Sequence, residues 1–431
     1  MSATLDRLFA LEAFGIKLGL DNMRTLVASL GHPERAYPTI HVAGTNGKGS
    51  VCAMVERALG AAGLRTGLYT SPHLHRIEER VAVDGQPVSP AAFEAAATDV
   101  LAAVDEATAS GRLEVTPTFF EVTTAIAFEL FRRAAVDVAV IEVGLGGRFD
   151  ATNVITPVAG AVTSIALDHE RHLGSTLAAI AGEKAGIAKA GVPLVVGAVP
   201  DEALSVIRDV AASVGAPLVP AGNAVSEAAF EQGHASVRLA DDGRDGPAIP
   251  LALAGRHQVA NAAVAVRLLQ VLDGHPAAPR EAIVRGLREA RWPARLEWLR
   301  TGGGDLLIDA AHNPAGAAAL ASYVRDAGVA PLPLVVGAMQ DKDLAGMLAP
   351  LAPLLTRVVA TTAPGARAWP AAALADRVAA LAPGLAVDVE PEPMAAVRLA
   401  LRHGGRAVVA GSIYLVGPLR ARLLASGATT V

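Results

Sequence analysis

Nearly continuous apolar runs rich in β-branched residues recur along the chain, each followed by a turn and a stretch of helical periodicity. TIHVAG (39–44) enters a glycine-rich loop, and SVCAMVERALGAAG (50–63) continues from it as a helix. VDVAVIEVG (136–144) and VAGAVTSIAL (158–167) have the pattern of parallel strands covered on both faces. LVVGAV (194–199) and AAVAVRLLQVLDG (262–274) carry the alternation of strand and helix onward. The pattern predicts an α/β layer fold with a mostly parallel sheet.

The alternation then restarts. RWPARLEWLRTGGGD (291–305) holds a proline and a glycine triplet and reads as a linker and hairpin. After it come DLLIDA (305–310), LPLVVGA (332–338), RVVATTA (357–363) and RAVVAGS (406–412), with helical stretches between them. The expected organisation is a first domain over 1–290, a linker over 291–303 and a smaller Rossmann-like α/β domain over 304–431. No G-x-G-x-x-G follows the strands of the second set. The nearest string, GLGGRF (144–149), lies in the first domain and ends on Phe149, which disfavours a dinucleotide enzyme.

Composition narrows the classes. The 431 residues are 52% hydrophobic and carry a net charge of −5, so no nucleic-acid partner is implied. No stretch reaches the roughly 18 unbroken apolar residues of a membrane span. The opening MSATLDRLFALEAFG carries acids in its first turns, unlike a signal peptide. The single cysteine, Cys52, permits no internal disulfide, so a reducing, cytoplasmic location is expected. Lysine is scarce: only Lys17, Lys48, Lys184, Lys189 and Lys342 stand among 37 basic residues. A lysine kept where arginine fills the general surface role is a candidate for work that needs a compact amine.

The loop HVAGTNGKGS (41–50) looks like the phosphate-binding pattern G-x-x-x-x-G-K-[ST], but it is shorter. Gly49 follows Lys48 where a hydroxyl would hold Mg²⁺, and the hydroxyl arrives one residue late, as Ser50. Backbone N–H groups at such a strand-to-helix junction can still cradle phosphate, and Lys48 can neutralise it. A Mg²⁺ ion would then need oxygen ligands from elsewhere. Ser71, Glu142, Asp168 and His169 all fall at predicted strand ends, where α/β sheets bind ligands. A carboxylate inside an apolar run is costly unless paired or metal-bound, which makes Glu142 the strongest of these. AGEKAGIAKAG (181–191) places Lys184 and Lys189 on a helix, with Lys184 directed back to the phosphates. His257, Gln258 and Asn261 open another helix; Arg295 lies in the linker, and Asp309, His312, Lys342 and Ser412 follow strands of the second domain.

In order, IKLGLDNM, HVAGTNGKGS, TSPHL, TPTFFEVTTAIAF, IEVGLGGRFDATN, TSIALDHE, EKAGIAK, NAAVA, ARLE, DAAHNP, DKD and GSIYLVG resemble the folylpolyglutamate synthase/dihydrofolate synthase family, within the Mur ligase superfamily. The resemblance implies a P-loop-type ATPase domain, like the central domain of Mur ligases, followed by the Rossmann-like domain. It implies ATP on Gly44, Thr45, Asn46, Gly47, Lys48, Gly49 and Ser50, with Asn261, Arg295 and Asp309 as further nucleotide contacts. It also implies two Mg²⁺ ions on Ser71, Glu142, His169 and Lys184, the lysine carrying a CO₂-derived carbamate. The pterin-bearing acid would meet Gly15, Ile16, Lys17 and Leu18; Thr118, Phe119, Phe120 and Glu121; and Phe149, Asp150 and Ala151. His312 and Ser412 would lie at the glutamate end, and Lys48, Glu142, His169, Lys184, Arg295 and His312 would carry the catalysis. Two departures stand out: the family usually has glycine where this chain has Ala294, and often glycine at Ala310.

The implied activity is ATP-dependent ligation of L-glutamate to dihydropteroate and to folates through an acyl phosphate, by a monomer. The alternatives are chain extension of folates alone, a related Mur-type ligase with another acid acceptor, or a nucleotide-dependent binding protein with no ligation.

Overall fold

The apolar runs become strands, ordered by their need for cover on both faces. The computed structural model of the chain describes residues 2–15, 19–242, 246–272, 274 and 277–431. Two compact units separate, residues 1–225 with 260–290 and residues 226–259 with 291–431. The first holds β1 (Thr39–Ala43), β2 (Thr66–Tyr69), β3 (Val81–Val83), β4 (Gln86–Pro87), β5 (Val138–Glu142), β6 (Ala159–Val162), β7 (Leu194–Val196) and β8 (Leu218–Pro220). They form one sheet in the order β4-β3-β2-β5-β1-β6-β7-β8. Neighbours from β2 to β8 run parallel, and β3 and β4 add an antiparallel edge. Every residue of β1 and β5 is buried, which is why both read as unbroken apolar runs.

Helices cover this sheet. Phe119–Arg133 starts on a capping box, in which the Thr118 hydroxyl accepts from Glu121 N–H and the Glu121 carboxylate accepts from Thr118 N–H. Its buried Val122, Ile126 and Phe128 join Leu8, Met23, Phe93 and Ile141 in one core cluster. Val162, Ile180, Val196 and Ile207 belong to another. The helix Lys48–Ala61 packs against Arg280–Glu289 so closely that a Cβ at Gly286 would lie 2.6 Å from Ala58 Cβ.

The second unit carries a three-stranded sheet of β9 (Val225–Glu231), β10 (His234–Leu239) and β11 (Ile249–Pro250). Its main sheet comprises β12 (Glu297–Thr301), β13 (Gly304–Ile308), β14 (Leu332–Val336), β15 (Leu355–Ala360), β16 (Ala386–Val389), β17 (Arg406–Ala410) and β18 (Thr429–Thr430). The order is β16-β15-β14-β17-β13-β12-β18, parallel from β16 to β13 with β12 and β18 antiparallel. The α/β expectation therefore holds in both units. Residues 226–259, expected in the first domain, group with the second unit, and the hairpin expected within 291–305 is present as β12 paired with β13. Among the described residues no helix is long and apolar enough to cross a membrane.

Candidate functional site

In the first unit, β1 sits between β5 and β6, and the glycine loop leaves its carboxyl end. Gly44 has φ of +146°, and a Cβ there would lie 1.9 Å from Thr163 Oγ1. Gly47 has φ of +85°, and its Cβ would lie 2.2 Å from Asn261 Oδ1. Both positions therefore demand glycine, one for lack of room beside β6 and one to turn left-handed into the helix Lys48–Ala61. The residues after β6 fasten the loop: Thr45 N donates to Ser164 O at 2.8 Å, Asn46 N to Ser164 Oγ at 3.0 Å, and Thr163 Oγ1 to Asn46 O at 2.7 Å. Gly49 and Ser50 lie buried in the helix's first turn.

Two ammonium groups converge on one carbonyl. Lys48 Nζ donates to Gly44 O at 3.0 Å and to Thr45 O at 3.3 Å. Lys184 Nζ, near the end of the helix Leu177–Ala185, also donates to Gly44 O at 3.0 Å. Burial, and then the charge of Lys48, push the Lys184 pKa down to about 7, against the opposing pull of Asp168 and Asp150. Lys189, expected on the same helix, lies beyond its end, because the helix stops at Ala185; it donates to Asn153 O at 3.1 Å.

Glu142 is the last residue of β5, paired in register with Val42 of β1, and is 5% exposed. Its Oε2 accepts from Ser71 N at 3.2 Å. Burial pushes the Cys52 thiol well up; Glu142 adds to this while Lys48 opposes it, so both charges bear on the same helix. Ser71, Glu142, Lys48 and Lys184 thus gather around the carboxyl ends of β1, β2 and β5. His169 begins the short helix Glu170–Leu173 with φ of +52°, its N–H bonded to Asp168 Oδ1 at 2.8 Å, its side chain 42% exposed. Among the described residues no three His, Cys, Asp or Glu side chains converge into a ready-made metal cluster. The oxygen donors at the corner, Ser71 and Glu142, suit a hard cation, but the two ammonium groups beside them oppose one.

A buried polar chain runs beneath this corner, and the sequence reading passed over it. His41, on β1, is fully buried, and its Nε2 lies 2.8 Å from Thr152 Oγ1. Thr152 Oγ1 in turn donates to Asp150 Oδ1 at 2.5 Å, so the histidine must be the donor and carries its proton on Nε2. Its Nδ1 is buried without a hydrogen-bond partner. Burial, then Lys189, push the His41 pKa down to about 3. Asp150 also accepts from Leu145 N at 2.8 Å and Thr152 N at 3.0 Å, so its carboxylate holds the loop 144–152 together. A histidine inside an otherwise apolar strand was the available signal.

Among the residues matched to the pterin site, Glu121 is engaged in its capping box and Asp150 in this loop. Ala151 and Phe119 are buried, with Phe119 stacked on Phe9 at 5.8 Å. Phe120 lies against Gly144, and Phe149 is 37% exposed beneath the Arg148 guanidinium, 4.5 Å from its ring centre. Gly15 turns with φ of +66°. Ile16, Lys17 and Leu18 lie outside the described residues.

The second unit brings its own candidates together. Asp309 follows β13, and its oxygens accept from Leu296 N and Ala311 N, each at 2.8 Å. Arg295 lies in the turn so held. His257 is half-buried; desolvation lowers its pKa, with Asp309 raising it and Arg295 lowering it. His312 Nδ1 donates to Ala310 O at 2.9 Å. Ser412 follows β17, the strand beside β13, and caps the helix Ile413–Ala425 by accepting from Tyr414 N at 3.2 Å. Gly411 N donates to Ala311 O at 2.9 Å, so the His312 and Ser412 segments are neighbours.

Comparison with known proteins adds to this geometry. Residues 42–269 match the Mur ligase middle domain, and residues 294–413 match the Mur ligase glutamate ligase domain. The chain is 36% identical over 406 residues to the folylpolyglutamate synthase of Lacticaseibacillus casei, covering 93% of each. It is 42% identical over 350 residues to a probable bifunctional folylpolyglutamate synthase/dihydropteroate synthase of Halobacterium salinarum, covering 80% of this chain but only 42% of that protein's length. Among solved structures it is similar to Mycobacterium tuberculosis folylpolyglutamate synthase complexed with ADP, with a TM-score of 0.88, 32% identity and 98% of each chain covered. A bifunctional folylpolyglutamate synthase/dihydrofolate synthase with Mn, AMPPNP and L-glutamate bound has a TM-score of 0.84, 33% identity and 98% coverage of each.

Proposed function

Because this chain belongs to the Mur ligase family, in its folylpolyglutamate synthase/dihydrofolate synthase branch, we propose that it is an ATP-dependent ligase joining L-glutamate to dihydropteroate and to folates. The observation that carries this reading is the corner where Lys48 and Lys184 meet on the Gly44 carbonyl, next to the Glu142–Ser71 pair. The ADP, AMPPNP and L-glutamate bound by the similar proteins support the same ligand classes here.

The reaction proceeds in two displacements. A carboxylate oxygen of the acid attacks the γ-phosphorus of ATP; the bond to the β–γ bridging oxygen breaks, and ADP leaves. The amine of L-glutamate attacks the acyl carbon of the resulting acyl phosphate; the C–O bond to phosphate breaks, the amine loses a proton, and phosphate leaves. The backbone N–H groups of Thr45–Ser50 cradle the phosphates, and Lys48 offsets the charge that spreads over the transferring group. Asn261, Arg295 and Asp309 hold the nucleotide, and His312 and Ser412 receive the glutamate. Phe120 and Phe149 supply aromatic surface for a pterin ring, in the segments 118–121 and 149–151.

Ser71, Glu142, His169 and Lys184 would hold two Mg²⁺ ions, which neutralise phosphate charge when bound. The corner fits that role once Lys184 is carbamylated. Unmodified, two ammonium groups face one carboxylate, which repels a divalent cation; a carbamate replaces one of those positive charges with a negative oxygen donor. The Lys184 pKa of about 7 leaves much of its amine neutral near pH 7, as attack on CO₂ requires. The scarcity of cysteine supports a cytoplasmic setting, and a monomer belongs to the same proposal.

The deciding experiment is phosphate release from ATP with L-glutamate and, in turn, dihydropteroate, a tetrahydrofolate and a muramyl-peptide precursor, with products identified by mass. Turnover of both pteridine acids establishes two activities, and turnover of the folate alone reduces them to chain extension. Turnover of the muramyl acid alone, or of none, overturns the acceptor assignment.

A further inference from the structure

Arg295 stands between two residues in the left-handed region: Ala294 has φ of +59° and Leu296 has φ of +47°. Neither is glycine, and L residues enter this region reluctantly. Two such residues flanking one arginine persist only where the surroundings over-determine the backbone. Here they do. Ala294 N donates to Glu297 Oε2 at 2.8 Å, and Leu296 N donates to Asp309 Oδ2 at 2.8 Å. Ala310 N closes the turn from the other side on Ala294 O at 3.0 Å. Glu297 is itself gripped: Arg420 Nε donates to its Oε2 and Arg420 Nη2 to its Oε1, both at 2.7 Å. The pair is largely shielded, with side chains 14% and 21% exposed, and Ala294 is fully buried. Arg420 lies on the helix Ile413–Ala425, two turns after the capping Ser412.

We propose that Glu297 and Arg420 are positioning residues for Arg295: Arg420 fixes the Glu297 carboxylate, the carboxylate captures the Ala294 N–H, and the doubly left-handed turn holds Arg295 in the conformation that binds nucleotide. The proposal rests on the nucleotide role given to Arg295 above. An ordinary edge ion pair would stabilise the hairpin without controlling this turn. The difference is that Glu297 spends one oxygen on both Arg420 and a strained backbone N–H. The pair also explains how the chain tolerates alanine at 294. With glycine there, the left-handed turn would need less external support.

The test is the affinity of the full chain for ADP with Mg²⁺, measured by titration calorimetry on the wild type, Glu297→Gln, Arg420→Lys, Ala294→Gly and the double variant Ala294→Gly/Glu297→Gln. Loss of the bidentate pair should weaken ADP roughly tenfold in Glu297→Gln and in Arg420→Lys, since lysine cannot reproduce the fork. Ala294→Gly alone should stay within about twofold. In the double variant, affinity should return to within about threefold of wild type, because glycine holds φ above zero unaided. Tryptophan fluorescence from Trp292, Trp298 and Trp369 shows whether the second unit of each variant is folded, and Arg420→Lys decides the matter if Glu297→Gln does not fold. Wild-type affinity in both single charge variants, or a double variant as weak as Glu297→Gln, overturns the proposal. A wild type that binds ADP yet releases phosphate with no acid would sink the ligase reading while the same affinities still decide this one. A wild type that does not bind ADP overturns both.

Discussion

Replacing His41 by glutamine isolates the energetic consequence of burying an imidazole in the strand that leads into the glycine loop. The folded pKa of about 3 lies well below the ordinary histidine value of 6.5. Between these values the unfolded chain binds a proton that the folded chain refuses, so stability rises with pH across the window. The contribution is complete above about pH 6.5 and is lost as pH falls toward 3. Each pH unit inside the window is worth about 1.4 kcal/mol. From pH 7.5 to pH 5.0 the wild type should therefore lose about 2 kcal/mol that the glutamine variant keeps. The amide can still donate to Thr152, so the variant is expected to fold, somewhat destabilised at neutral pH. The assay is urea denaturation of both proteins at the two pH values, followed by far-ultraviolet circular dichroism. Trp292, Trp298 and Trp369 all lie within residues 291–431, so tryptophan fluorescence tracks the second unit and serves as an internal control. Carboxylates titrate in both proteins and cancel in the difference. A stability gap that stays constant to within about 0.5 kcal/mol across the pH range would show that His41 is protonated in the fold, and would refute the argument.

Other outcomes follow from the same corner. Lys48→Ala and Glu142→Ala should each lower ATP-dependent turnover by about 10³ or more with circular dichroism unchanged, and near-normal turnover in either contradicts the proposed site. Lys184→Ala should be similarly impaired and partly restored by acetate or another small carboxylate; no rescue, together with no CO₂ adduct on the native protein by mass spectrometry, removes the carbamate. Gly47→Ala forces a side chain to φ of +85° and into Asn261 Oδ1, so ADP affinity should fall about tenfold or more, as calorimetry can check, given the steric cost of that region.

Much of this site is legible in the sequence, for physical reasons that differ by residue. β1, β5 and β6 are covered on both faces, so their apolar runs announce them, and the loop after β1 declares itself through Gly44, Gly47 and Lys48. Glu142 is conspicuous because a carboxylate rarely ends an apolar run without a partner. His41 escapes the same logic only because a histidine can be buried neutral. β9 and β10 were not visible as strands: VSEAAFE and HASVRL are poor in large apolar residues, and β9 is largely exposed. The end of the Lys184 helix was placed too late, since GIAKAG continues the alanine-rich pattern while the backbone turns off after Ala185. The left-handed turn at Ala294 and Leu296 could not be read at all. Its cause lies in Glu297, Asp309 and Arg420, the last more than a hundred residues away.

The five lysines offer a spectroscopic advantage. Isotope supplied only as lysine would give a nuclear magnetic resonance spectrum of five side-chain amines, in a chain whose other cations stay silent. Two of the five, Lys48 and Lys184, share one carbonyl in the candidate site. Titrating nucleotide, metal or bicarbonate into such a sample would report on the corner almost residue by residue. The reverse also holds: a reagent that seeks amines has few places to react on this protein, and a bound nucleotide that shields Lys48 would remove one of them.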